Sequence, residues 1–332
     1  MKKRYIAIQL TVVAVLLFTT GCGTGAFQIQ MIPRNQELTE TQIKKDEGWF
    51  VKDKIVVIDV DGVLINKPQD SWMRQGDNPV STLLEKLDKA AGDDDVKAVV
   101  LRINSPGGSV AASDMMHHSL AEFKQKKKVP VVACMMDVAA SGGYYLACGA
   151  DGMMAQPSTV TGSIGTIMQT FSVAGTMEKI GIEAVAVKSG KMKDIASPLH
   201  DMTDEEKQIL QEIIDRFYEQ FLTVVDNGRP KLEMNKLQPL ADGRVFIADQ
   251  AKELGLIDRI GYADDAVQWA KEMAGVEKVK TVIYHRPMAA IPNIYGSATS
   301  QASGIGPLVN IVLPDWLESG GTQFLYLWQP GL

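Results

Sequence analysis

The chain has 332 residues, 45% of them hydrophobic and 22% charged, and a net charge of -6. That is an ordinary globular mixture, long enough for one large core or two domains, and its acidic balance gives no reason to expect a nucleic-acid partner. The three cysteines, Cys22, Cys134 and Cys148, form neither a disulfide framework nor a metal-ligand spacing.

The N-terminus reads as a leader. Lys2, Lys3 and Arg4 precede a largely apolar stretch, Tyr5 to Phe18, and Thr19-Thr20-Gly21-Cys22 follows. An apolar stretch this short is a signal-peptide core more often than a membrane span, so residues 1–22 are expected to be a signal peptide. Its Gly-Cys end resembles a bacterial lipoprotein processing site, with Thr19 where leucine is usual. That resemblance implies lipidation of Cys22, and an uncleaved signal anchor is the alternative. Either places the folded part at the cell membrane, on the extracytoplasmic face. Residues 23–50 have no sustained period and read as a tether, with a short amphipathic piece near Ile43–Phe50.

From Lys54 the pattern becomes regular. Lys54–Val60 is a strand, closed by Asp61-Gly62. Asn78-Pro79 opens a helix with Val80, Leu83, Leu84 and Leu87 on one face. Val96–Ile103 is the second strand, and Asn104-Ser105-Pro106-Gly107-Gly108 a sharp turn. Ala111–Lys128 is a helix whose terminal lysines suit its dipole. Val129–Met135 is the third strand, and Tyr144–Cys148 begins a helix. This alternation predicts an α/β fold with a parallel sheet and flanking helices. Cys134 and Cys148 are then expected to be buried thiols.

Further on, Ile167–Val173 and Ala184–Val187 read as strands, Met177–Ile180 as helical, and Ser189–Asp194 as a polar, mobile loop. Thr203 and Glu206 form a capping box for the longest helix, which carries Ile209, Leu210, Ile213, Ile214, Phe217 and Phe221. Ala248–Leu254 and Asp264–Met273 are helices, and Lys280–His285 is a closing strand. Residues 287–332 hold two charges, Asp315 and Glu318, and five aromatic side chains, Tyr295, Trp316, Phe324, Tyr326 and Trp328. Residues 296–306 read as a linker. Such an apolar tail should not remain in water. A contact with another subunit is the preferred expectation, ahead of packing on its own domain or on lipid.

Chemistry starts at Asp137–Tyr145, Asp-Val-Ala-Ala-Ser-Gly-Gly-Tyr-Tyr. Small residues flank Ser141 at a strand-to-helix turn, so a substrate backbone can approach its hydroxyl. The Gly142 amide is free at a helix start, where it can hold an oxyanion. On this stretch alone, a tight packing turn explains the pattern as well. A serine nucleophile needs a base. Nothing marks His117, His118, His200 or His285 as that partner. A lysine can serve if burial depresses the pKa of its amine, and Lys188, Lys191 and Lys193 are candidates that spacing does not separate.

Several segments together resemble the signal peptide peptidase A (SppA, protease IV) family in its short bacterial form. They are residues 103–108, Asp137–Tyr145, Ala150-Asp151, Thr161-Gly162-Ser163-Ile164-Gly165, Lys188–Pro198 and Ala241-Asp242-Gly243-Arg244-Val245, in the family's order. The resemblance spans about Val51 to His285 and implies a crotonase-like (ClpP-like) α/β spiral over a protease domain of residues 51–286. It implies Ser141 as nucleophile, Lys193 as general base, Ser163 as the hydroxyl that orients the lysine, and the Gly108 and Gly142 amides as the oxyanion hole. Ser-Lys pairs are a known variant of the triad logic. No metal or cofactor is implied. The implied activity is a membrane-associated serine endopeptidase that degrades remnant signal peptides and small exported peptides through an acyl-enzyme. In double-length relatives the serine and the lysine come from different halves. A half-length chain is therefore expected to form a homo-oligomer, with Lys193 acting in its own chain or on a neighbour. The chain departs from the family at Ser109, where relatives often have a third glycine. The alternatives are a crotonase-type acyl-CoA enzyme and a catalytically inactive peptide-binding scaffold at the membrane.

Overall fold

The computed structural model describes residues 37–68, 77–286, 294 and 324–328. The expectations for the leader, Cys22 and the 296–306 linker lie outside the described residues.

The centre is a mostly parallel sheet. Strands β2 (Lys54–Asp61), β3 (Val96–Ser105), β5 (Val131–Ala140), β6 (Gly152–Ala155) and β10 (Arg259–Ile260) lie side by side in that order. All are parallel, as crossover helices require. β11 (Lys280–His285) joins β2 in parallel, and β1 (Thr39–Lys45) adds an antiparallel edge beyond it. That edge strand falls inside the segment expected to be a tether. Its sequence is polar but for Ile43, so only Thr41 and Ile43 give a half-buried alternation. The Thr41 hydroxyl also bonds the His285 ring at 2.7 Å.

The near-continuous apolar runs of β2, β3 and β5 follow from burial on both faces. On one face Val57, Val100, Val132 and Cys134 pack under α8 (Ala263–Ala274) through Ala266, Val267 and Ala270. On the other, Val56, Val99, Leu101 and Ala133 pack under α1 (Pro79–Ala91) and α2 (Val110–Lys127). Asn78 caps α1 by accepting from the Val80 and Ser81 amides, and Ser109 caps α2 through the Ala112 amide. Cys134 and Cys148 are both buried and free.

β5 is the element that turns the sheet. Its first half pairs with β6, and its second half with β7 (Val160–Gly162), which in turn pairs antiparallel with β9 (Val245–Ile247). The break is a bulge against β3, where Ile103 faces Met135 but Ser105 faces Ala139. The Asn104 side chain takes the Val138 amide freed there, at 3.2 Å. The bend carries the end of β5 out of the main ladder.

Two further expectations change. The strand expected over Ile167–Val173 is only β8 (Ile167–Met168), and α4 (Ala174–Lys179) follows. Ala184–Val187 forms no regular element, and Val187 is 100% exposed. No described strand edge pairs with it, and alternating apolar residues without a partner edge do not make a strand. The long helix α5 (Asp204–Gly228) starts at the Thr203–Glu206 capping box as its sequence predicts. The described end of the apolar tail packs on its own chain. β12 (Phe324–Leu327) lies between β4 (Gly107–Ser109) and β8 in a small antiparallel sheet.

Candidate active site

β5 ends at Ala140, and α3 (Gly142–Ala147) starts one residue later. Ser141 makes this turn with φ 52° and ψ -116° and is 1% exposed. A side chain in that region costs on the order of 1–3 kcal/mol unless its surroundings hold it. Here the Ser141 amide donates to the Gly162 carbonyl at 2.8 Å, and its carbonyl accepts from the Tyr145 amide at 2.8 Å. The Thr161 hydroxyl donates to the Ala139 carbonyl two residues upstream, at 2.6 Å. The turn is therefore fixed from both sides.

The Pro106-Gly107-Gly108 turn comes up beside it. Gly107 has φ 99°, and its amide donates to the Ser105 hydroxyl at 3.0 Å. A Cβ there would lie 2.6 Å from the Gly142 nitrogen and 2.0 Å from the Tyr326 carbonyl oxygen. A side chain is excluded, and the contact measures how closely the glycine turn approaches the start of α3. Ser141, Gly142 and the Gly107-Gly108 pair thus meet at one place. Backbone amides from two segments brought this close together suit a developing oxyanion.

Ser163 is two residues past Thr161 and also has positive φ, 50°. Its amide donates to the Arg244 carbonyl at 2.8 Å, and Gly243 donates back to Ile164 at 3.0 Å. The Ala241–Val245 segment therefore shapes the Ser163 turn, while Arg244 is paired with Asp242. Since Ser141 bonds Gly162, the two serine turns adjoin. Ser163 faces a cleft of about 700 Å³ with Gly165, Thr166, Tyr218, Leu325 and Leu327.

Lys193 is elsewhere. It lies on an exposed arm that carries uncovered Phe171, Ile180, Ile182, Val185 and Val187. Lys188 is paired with Asp194, and Lys191 with Glu205. The Lys193 ammonium has no hydrogen bond or ion pair among the described residues, and the structure does not bring it to Ser141. The three lysines that spacing left equivalent are thus distinguished by their partners.

No histidine replaces it. His117 packs edge-on to Tyr145 at 5.3 Å, and burial lowers its pKa. His200 directs Nδ1 at the Asp201 carbonyl (2.9 Å) and Nε2 at the Asp194 carbonyl (3.0 Å). The Asp201 and Asp194 carbonyls raise its pKa. Asp194, His200 and Glu206 have ligand atoms within 4.8 Å of one another, and both His200 ring nitrogens lie against backbone carbonyls. Burial pushes the Cys134 and Cys148 thiols up to about 12, so neither is a competing nucleophile.

The sequence did not point to three parts of this site. Asn104 and Ser105 look like turn residues, yet their side chains hold the bulge and the Gly107 amide. Tyr326 lies more than 180 residues from Ser141 (326 minus 141 is 185) and is fully buried beside its helix. Only its place in an apolar tail signalled that it needed a partner.

A positive-φ serine between a parallel strand and a helix, opposite a glycine turn, defines the chain as a serine hydrolase of α/β type. Comparison with known proteins narrows this. Residues 122–277 match peptidase family S49. An Enterococcus faecium protein bearing the name signal peptide peptidase SppA is 37% identical over 238 residues, 72% of this chain and 68% of that one. A Methanocaldococcus jannaschii protease is 36% identical over 70% of this chain and 72% of its own length. Protease 4 of Haemophilus influenzae is 35% identical over 68% of this chain but only 36% of its own length. The chain belongs to peptidase family S49, the SppA and protease 4 family, and is a serine peptidase with that family's ClpP-like α/β fold.

Proposed function

We propose that the chain is a membrane-associated endopeptidase working through a Ser141–Lys193 dyad. The observation that carries this reading is the Ser141 turn, held strained and buried against the Gly107-Gly108 turn. The Lys193 amine takes the Ser141 proton as the hydroxyl oxygen attacks a peptide carbonyl. The new oxyanion is held by the Gly108 and Gly142 amides. The C–N bond breaks, the leaving amine takes the proton from Lys193, and an acyl-enzyme remains. Water, deprotonated by Lys193, then releases the acyl group and restores the serine. Ser163 orients the lysine amine.

Lys193 acts on the Ser141 of a neighbouring copy. Two observations support this: its ammonium is unpaired among the described residues, and the arm bearing it exposes a run of apolar side chains. A second copy would cover those residues and complete the site. The substrates are remnant signal peptides and small exported peptides, bound extended. Attachment is through the N-terminus, by a lipidated Cys22 or a retained leader. No described helix is long and apolar enough to cross a membrane.

A serine-reactive phosphonate tests the dyad. It should label the wild-type chain and fail on Ser141→Ala and Lys193→Ala, with peptide cleavage lost in both. Full labelling or cleavage in Lys193→Ala would remove the lysine from the mechanism.

A further inference from the structure

We infer that Asp194, His200 and Glu206 form a site for a divalent metal ion of the zinc type, and that the ion ties the arm carrying Lys193 to the start of α5. The site is separate from Ser141 and its glycine turn, and its existence does not depend on the Ser141–Lys193 reading.

The three side chains open into a cavity of about 350 Å³ between the arm and α5. Their ligand atoms lie within 4.8 Å of one another. Each carboxylate has one oxygen committed elsewhere. Glu206 is 3% exposed and is held by the capping box, its Oε2 accepting from the Thr203 amide at 2.8 Å and hydroxyl at 3.0 Å. Its Oε1 is left facing His200 Nε2 at 3.8 Å. Asp194 gives Oδ1 to the Lys188 ammonium and turns Oδ2 to the same Nε2 at 3.6 Å. Two carboxylates from different segments thus present their second oxygens to one ring nitrogen.

The backbone adds a third oxygen. The Asp194 carbonyl is 3.0 Å from Nε2, while Nδ1 lies 2.9 Å from the Asp201 carbonyl. With its proton on Nδ1, the ring donates to Asp201 and offers the Nε2 lone pair to the cluster. A ligating histidine is usually oriented in that manner, its other nitrogen donating to a carbonyl. A second ring proton on Nε2 could satisfy one of the three oxygens around it. A cation with several coordination positions can satisfy them together. Ligands on a tetrahedral zinc stand about 3.3–3.5 Å apart, from bond lengths near 2.0–2.2 Å. The separations of 3.0, 3.6 and 3.8 Å around Nε2 bracket that value. One imidazole with carboxylate oxygens suits zinc better than calcium or magnesium, which take oxygen alone. Lys188 offsets one of the two carboxylate charges, so the site still favours a cation. Asp194 directly follows Lys193, so an ion here would fix the backbone next to the lysine against α5.

The test uses the full-length protein, freed of metal by a chelator and titrated with zinc chloride in a calorimeter. Wild type should take up one ion per chain. Loss of a ligand should weaken uptake by at least the upper end of a second-shell loss, about 100-fold. His200→Ala and Glu206→Gln should both show this, and the glutamine keeps the capping box, so the fold is preserved. His118→Ala, at an exposed histidine on α2, should bind as wild type does. Cobalt(II) should give the visible absorption of a low-coordinate site in wild type and lose it in His200→Ala. Zinc should also slow proteolysis within residues 170–200 of wild type but not of His200→Ala. No uptake by wild type, or uptake that survives His200→Ala and Glu206→Gln, would overturn the site. Equal proteolysis with and without zinc would overturn the tie. Ser141→Ala and Lys193→Ala should bind zinc as wild type does, so a failed dyad and a failed metal site give different results.

Discussion

The Ser141 turn and the arm that carries Lys193 are built on opposite plans. Ser141 is buried, held through its own amide and carbonyl, and backed by the β5 bulge and the glycine turn. The arm has a two-residue strand and a six-residue helix, and leaves Ile182, Val185 and Val187 in water. The chain's own core can pre-organise a strained nucleophile, because the surrounding ladder over-determines it. It does not do the same for the base. The arm is apolar and has no core of its own; under the proposed reading its packing comes from a second copy, so that one half of the chemistry is preset and the other waits on assembly.

The largest effect that would test this contrast is at the preset half. Gly107→Ala pushes a Cβ into the Gly142 nitrogen at a positive φ. Turnover should fall by about 10²- to 10³-fold, as when an oxyanion donor is lost, and stability by about 1–3 kcal/mol. Steady-state kinetics and thermal melts read the two. Near-normal turnover would mean that the glycine turn is not part of the site.

The arm should answer in the opposite manner. Val187→Asp touches no packed neighbour, so the melting free energy of the chain alone should stay within about 0.5 kcal/mol. Its assembly, followed by light scattering, should weaken, and peptidase activity should fall with it. Unchanged assembly and activity would make the arm an ordinary exposed loop.

A third effect, on stability alone, lies in the fixed region. Burial beside Asp59 pushes the Asp61 carboxyl up to about 6, against the partial relief of Arg102 and Lys86. A carboxyl raised in the folded state destabilises it as the pH climbs through 4 to 6, and most above that range. Asp61→Asn should therefore melt higher than wild type at pH 7, by at most about 3 kcal/mol. The two should converge near pH 4. Equal melting at both pH values would remove the burial penalty from the account.

What could be read in advance follows the same division. The parallel core was legible because strands buried on both faces are apolar throughout and their helices carry clear caps, as at Asn78 and Thr203. The edge strand Thr39–Lys45 was hidden because a solvent-facing strand needs only one or two apolar residues. Ala184–Val187 was misread because local alternation does not say whether a partner edge exists. Ser141 and its glycines were marked by small residues at a turn. Lys193 could not be separated from Lys188 and Lys191 by spacing, since what distinguishes them is that Lys188 and Lys191 each meet a carboxylate in space and Lys193 meets none among the described residues. Tyr326 was beyond reach for the same reason, since its partners Tyr145 and Phe221 are far off in the chain.

The sharing of the site between copies is tested most directly by mixing. Ser141→Ala and Lys193→Ala chains are each inactive alone under this account. Dissociated and reassembled together at equal ratio, they should recover up to about one quarter of wild-type peptidase activity, because a random neighbour pairing supplies an intact serine and an intact lysine that often. Co-assembly without any recovered activity would contradict the account and place both groups of each site in one chain.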